Sequence, residues 1–341
     1  MSKPRHLAIA LTLAALILIA ASAHGLLPAR EDVSAHVFLP VYDAERVHDG
    51  DAPEDGAALQ TTDSVDDCYL AERWGVSRVE APRAWQVTRG DQSVVVAVLD
   101  TGISKDNQDL ADRVVAEVNL TDSPASDDLY GHGTHIAGTI AAIAPECRLM
   151  NVKVADDRGR SEAPVVARGI VWAVDHGARV INISLCMRAS PELEEAINYA
   201  WSQGAIIIAA AGNQGGSEPV YPAYYSSCLA VAGTNKSDSL ALLSGHGYWV
   251  DVAAPGFNIY SELPQNQYGY RTGTSTAAAH VSGVAALVFS VAEDSSGNGM
   301  ANDEVRWAIE NSCTPIIGDG VGEGLVNACQ AVRATESSSL P

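Results

Sequence analysis

Continuous β-branched runs alternate along this chain with stretches of helical period, and that alternation restricts the folds open to it. Residues 93–99 read Ser-Val-Val-Val-Ala-Val-Leu, apolar throughout after the first position. A strand that shows neither face to water reads this way, and such strands belong to parallel sheets covered on both sides. Similar runs occupy 148–154, 180–185, 206–210 and 229–232. Between them, 163–176 and 192–203 have helical spacing, the second bounded by Pro191 and Gly204. The pattern predicts a doubly wound, mostly parallel α/β sheet with helices on both faces. Ligands of such sheets bind beyond the C-terminal strand ends. Asp100 closes one run and Asn213 lies three residues past another, so both fall at that edge.

The ends of the chain read differently. Lys3, Arg5 and His6 precede an apolar run from Leu7 to Ala21, and Ala21-Ser22-Ala23 offers the small residues of a cleavage site. An export signal over 1–23 is expected, cut after Ala23. An uncleaved anchor is the alternative, since the run barely reaches spanning length. Residues 24–67 hold 11 acids against 2 bases with no sustained period, so a poorly ordered or loosely docked acidic pre-segment is expected there. The regular pattern fills 68–335, and the Ser-rich end, 336–341, reads as a disordered tail. The 341 residues allow one large domain with extras, or two small ones.

With 42 acids and 21 bases the chain carries a formal charge of −21, a field that repels nucleic acid and anionic membranes. Six cysteines, Cys68, Cys147, Cys186, Cys228, Cys313 and Cys329, suit disulfides in an exported chain. No two lie two to four residues apart, unlike zinc-ligand spacing. Cys313 and Cys329 flank one glycine-rich loop and are the pair expected to join; the other pairings stay open.

Three short strings carry chemistry: Val98-Leu99-Asp100-Thr101-Gly102, Gly131-His132-Gly133-Thr134-His135 and Gly273-Thr274-Ser275-Thr276-Ala277. They supply an acid, a base and a nucleophile, each beside glycine. A serine hydroxyl attacks a peptide carbonyl only if a neighbouring imidazole takes its proton, and a carboxylate behind the imidazole fixes its tautomer. Ser275 opens a helical run expected over 276–291, and a helix N-terminus favours developing negative charge. Read singly, Ser275 is a helix cap, Asp100 a loop cap and Asn213 a turn residue. The chain order Asp, His, Ser, with Ala211-Gly212-Asn213 between, argues for catalysis. His135 and His280 read as packed structural histidines.

From about Ala81 to Val332 the chain resembles the subtilisin-like serine proteases. The resemblance implies Asp100, His132 and Ser275 as catalytic triad and Asn213 as oxyanion-hole donor. It implies that Ser184 and Leu185 lie on the strand that pairs with substrate, with Gly212 also on the substrate-binding surface. Four departures stand out. Thr276 replaces the usual Met and Ala279 the usual Pro, which leaves a better helix and removes no reacting group. Cys186 and Met187 replace two glycines, so a narrowed cleft favouring small P1 side chains is expected. Residues 24–67 are too short and polar for the usual folded pro-domain. The loop that usually carries the tight calcium site is missing after Ala142.

The expected activity is that of a secreted or periplasmic serine endopeptidase acting on polypeptide, with no cofactor for chemistry. It has no nucleic-acid partner and no stable membrane insertion once the signal is cut. Structural calcium stays possible at Asp122, Asp127 and Asp128, though a solvated acidic loop is the reading preferred. Asp294 to Val305 fits an EF-hand only in part, because position 12 is Val305, and reads as a surface loop. A silent binding or regulatory module of the same fold, and a membrane-tethered protease, are the alternatives.

Overall fold

The computed structural model describes residues 72–337 and the two-residue strand Val37–Phe38. The expected signal at 1–23 lies outside the described residues, as does the pre-segment at 24–67 apart from Val37–Phe38. These two residues form β1, which pairs antiparallel with β5 (Arg160–Ser161), Val37 opposite Ser161 and Phe38 opposite Arg160.

Two short helices, α1 (Trp74–Arg78) and α2 (Ala81–Ala84), lead into β2 (Val95–Asp100). Then come α3 (Gln108–Ala111), β3 (Val114–Asn119), α4 (His132–Ile143) and β4 (Arg148–Lys153). After β5, α5 (Ala163–Asp175), β6 (Val180–Ile183), α6 (Pro191–Ser202), β7 (Ile206–Ala210), β8 (Cys228–Thr234) and β9 (Val252–Pro255) continue the alternation. The hairpin β10 (Ile259–Leu263) and β11 (Gln267–Arg271) precedes the helices α7 (Thr274–Phe289), α8 (Asn302–Asn311) and α9 (Ala328–Ser337).

Seven strands form one sheet in the order β3-β4-β2-β6-β7-β8-β9, every neighbouring pair parallel. The chain enters at β2, builds to one side through β3 and β4, then crosses to the other from β6 onward. Such a reversal opens a crevice at the C-terminal strand ends. Asp100 is the last residue of β2, opposite Lys153 of β4, and so stands at that crevice.

Alternation along β2 separates two cores. Val96 and Val98 pack with Ile136 and Ile140 of α4 and Val284 of α7. Ala97 and Leu99 pack with Ile170 of α5 and Ile197 of α6. Helix α7 is buried on every side from Thr274 to Val288, the property of a helix with no solvent face. Ala279 sits fully inside it, where a proline would have removed a backbone bond.

Some elements depart from expectation. Edge strand β3, with half-buried and exposed positions interleaved, and the four-residue β9 escaped the sequence pattern. Helix α7 starts at Thr274, two residues before the expected run. Helix α9 continues through Ser337, into the segment read as a disordered tail, because Ala328, Ala331 and Val332 anchor it in the core. The expected Cys313–Cys329 disulfide is not formed: both are free thiols. The Cys313 thiol donates instead to the Ile309 carbonyl at 3.3 Å, and Cys329 faces the core. Among the described residues no helix is long and apolar enough to cross a membrane.

Candidate active site

The expected acid and base meet directly. His132 Nδ1 lies 2.8 Å from Asp100 Oδ1 and 2.9 Å from Oδ2. A carboxylate only accepts, so Nδ1 carries a proton, and in the neutral imidazole the lone pair falls on Nε2. Asp100 is fully buried and takes a further bond from the Thr101 N–H at 2.7 Å. His132 is the first residue of α4, and Gly131 caps that helix at φ 85°, a conformation glycine adopts without strain. Gly133 is needed for space: a Cβ there would collide with the Gly102 carbonyl and reach within 3.0 Å of Asp100 Cβ.

Behind Asp100, the fully buried Lys153 donates to the Thr101 carbonyl and pairs with Asp157 Oδ1 at 2.9 Å. This cation holds the loop after β2 from below. Asp128, read from sequence as part of a solvated acidic loop, is in fact 1% exposed and fully hydrogen-bonded to its surroundings. Its signal in the sequence was an acid four residues before a helix-opening histidine, where free N–H groups attract a carboxylate.

The expected nucleophile and oxyanion donor also come together. Ser275 is the second residue of α7, whose N-cap, Gly273, has no side chain to offer. Asn213 supplies the missing cap from the loop after β7: its Oδ1 accepts from the Thr274 N–H at 2.8 Å and the Thr274 hydroxyl at 3.0 Å. The amide is thereby oriented with Nδ2 free to donate. A Cβ on Gly273 would lie 2.9 Å from Ser275 Oγ and 3.0 Å from Asn213 Nδ2, so these two atoms face one small space. No hydrogen bond joins Ser275 to His132 among the described residues; catalytic contacts are often long before substrate binds.

Ser184 reaches the nucleophile from behind. Its hydroxyl donates to the Ser275 carbonyl at 3.1 Å and accepts from Asn182 Nδ2 at 3.0 Å. Leu185 is fully buried, backbone included. The Gly212 N–H donates to the Thr274 hydroxyl at 3.0 Å, and its carbonyl accepts from Gly245. The Cys186 thiol turns toward the Ala210 carbonyl, 3.8 Å away, and burial pushes its pKa up to about 12. The Met187 N–H pairs with the Tyr221 carbonyl at 2.8 Å.

The two histidines read as packed, His135 and His280, are enclosed. His135 donates from Nε2 to the Ile259 carbonyl at 2.9 Å, and burial holds its pKa well below 6.5. His280 donates from Nδ1 to the Thr276 carbonyl at 2.8 Å, and burial pushes its pKa down to about 4.

The four-residue connection from α4 to β4 leaves no insertion for metal ligands; its single acid, Glu146, sits 3.5 Å from Arg89. Asp294 spends its carboxylate on its own loop, accepting from the N–H groups of Gly297 and Gly299 at 2.7 Å each. No group of three or more His, Cys, Asp or Glu among the described residues is arranged to hold a metal ion.

A buried acid–imidazole pair and a helix-opening serine, at the crevice of a parallel sheet, define a serine-type endopeptidase. The comparison with known proteins agrees: residues 91–330 match the Subtilase family, and the chain belongs to it. It is 39% identical to thermitase of Thermoactinomyces vulgaris over 282 residues, covering 79% of this chain and 98% of thermitase. It is 40% identical to subtilisin BL of Lederbergia lenta over 271 residues, 76% of this chain and 98% of that protein. Alkaline elastase YaB of Bacillus sp. (strain YaB) is 36% identical over 318 residues, 87% of this chain and 80% of that one.

Proposed function

We propose that Asp100, His132 and Ser275 hydrolyse peptide bonds as a catalytic triad, with Asn213 and the Ser275 N–H as oxyanion donors. The observation that carries this reading is the Asp100–His132 pair at 2.8 Å, which leaves Nε2 as a base. As Ser275 Oγ bonds to the substrate carbonyl carbon, its proton passes to His132 Nε2, and the carbonyl π electrons move to oxygen. Asn213 Nδ2 and the Ser275 N–H donate to that oxyanion. Collapse of the tetrahedral species breaks the C–N bond, and the leaving nitrogen takes the proton from Nε2. Water, activated by the same imidazole, then releases the acyl group.

Polypeptide is the substrate class, exported location follows from the basic start and apolar run of residues 1–23, and the chemistry needs no cofactor. The side chains of Cys186 and Met187, where glycines would leave open space, support a preference for small P1 residues. Equal turnover of peptides with P1 Ala and P1 Phe would remove that preference.

Labelling with a fluorophosphonate tests the triad. The expected result is one label on Ser275, absent in Ser275→Ala. Folded protein that takes no label would instead be a binding module of this fold.

A further inference from the structure

Asp128 stands outside the triad, yet it joins the two segments that carry the acid and the base. Its Oδ1 accepts from the Thr101 hydroxyl at 2.9 Å, the Gly131 N–H at 2.7 Å and the Tyr130 N–H at 3.1 Å. Its Oδ2 accepts from the Thr134 N–H at 2.9 Å and the Thr134 hydroxyl at 2.6 Å. Thr101 directly follows Asp100, while Gly131 and Thr134 flank His132 on both sides. One buried carboxylate therefore grips the loop after β2 with one oxygen and the first turn of α4 with both.

The grip closes through a second route. The Thr101 hydroxyl that donates to Asp128 also accepts from the Gly133 N–H at 3.0 Å. The Thr134 hydroxyl accepts from the Ser104 N–H at 3.0 Å, back on the loop after β2. Each segment so holds the other, with Asp128 as the shared acceptor. Acceptors this densely used fix geometry, because every donor lost leaves a buried N–H or O–H unpaired. A single helix cap would need only the contacts at Gly131 and Thr134; the bond from Thr101 ties the cap to the acid.

We infer that Asp128 is a positioning residue for the reaction proposed above, on which this inference rests: it sets the approach of His132 to Asp100 and aims Nε2 at the nucleophile. Asparagine keeps its shape but presents a donor where one oxygen accepted, so at least one cluster of bonds must fail. A misplaced base costs about 10²-fold in turnover while substrate binding survives.

The test compares wild type with Asp128→Asn, Thr134→Val and the control Asp122→Asn. Asp122 is an exposed acid of the same loop. The expected result for Asp128→Asn is a fall of about 10²-fold in kcat with KM within about 3-fold. Solvent exchange of the His132 Nδ1 proton, followed by NMR, should speed up in the same variant. Thr134→Val should share part of both effects if Asp128→Asn fails to fold. Unchanged kcat and unchanged proton exchange in either folded variant would overturn the inference, as would an equal loss in Asp122→Asn. A wild type that takes no label at Ser275 refutes the catalytic reading instead. The proton-exchange readout still tests the positioning, since it needs no turnover.

Discussion

Asn213 Oδ1 holds the first N–H of helix α7 through Thr274, 2.8 Å away, and so turns its own Nδ2 toward the space in front of Ser275. One amide caps the helix of Ser275 with its oxygen and leaves its nitrogen facing that space. The two duties are separable in variants. Asn213→Ala should lower kcat by about 10²–10³-fold with little change in KM. It should also cost about 1 kcal/mol of stability through the lost cap. Kinetics and thermal melting of the same variant check both; an unchanged kcat would remove Asn213 from the oxyanion site.

Gly133→Ala places a methyl group against the Gly102 carbonyl and Asp100 Cβ. These are backbone and rigid neighbours, so α4 must shift rather than a side chain. The expected cost is about 1–3 kcal/mol. The accompanying loss of activity should exceed the loss of folded protein, because the shift separates His132 from Asp100. Denaturant unfolding beside active-site titration decides between this and plain destabilisation.

His280 makes stability depend on pH. Buried and neutral, it titrates at about 4 in the fold against an ordinary 6.5. Between these values the unfolded chain binds a proton that the native protein does not. Its contribution is therefore complete above pH 6.5 and lost as pH falls toward 4, by about 3 kcal/mol at most. His135 acts in the same sense. His280→Gln should lose less stability than wild type between pH 7 and pH 4.5, measured by urea unfolding; parallel curves would show that His280 does not titrate in this range.

Cys147, Cys186 and Cys313 should react slowly until the fold opens. Burial lifts Cys186 and Cys313 to about 12 and Cys147 to about 11, so few thiolates form near pH 8. Iodoacetamide should label these residues slowly in native protein. In denaturant without reductant, Cys313 and Cys329 should both take the label. A disulfide-linked Cys313–Cys329 peptide in the digest would contradict the free thiols.

The parallel sheet was legible because its strands are buried on both faces, which forces unbroken apolar runs such as 206–210. Strand β3 was not, because at the sheet edge Glu117 and Asn119 interrupt its apolar run. The disulfide expectation rested on compartment and on a loop spacing. Neither reports where a thiol points, and Cys313 points at Ile309.

Sequence alone nominated the candidate reacting groups, since an acid, an imidazole, a hydroxyl and an amide framed by glycines are properties of local strings. It also determined the layering of strand and helix, since period and burial are written residue by residue. Tertiary structure decided what those groups touch. His132 meets an acid 32 positions away, and Asn213 caps a helix 61 positions on. Asp128 joins two segments that are neighbours only once β2 and α4 have packed. Hydrogen bonds of that kind depend on distances between elements, and no local pattern in the chain encodes such a distance.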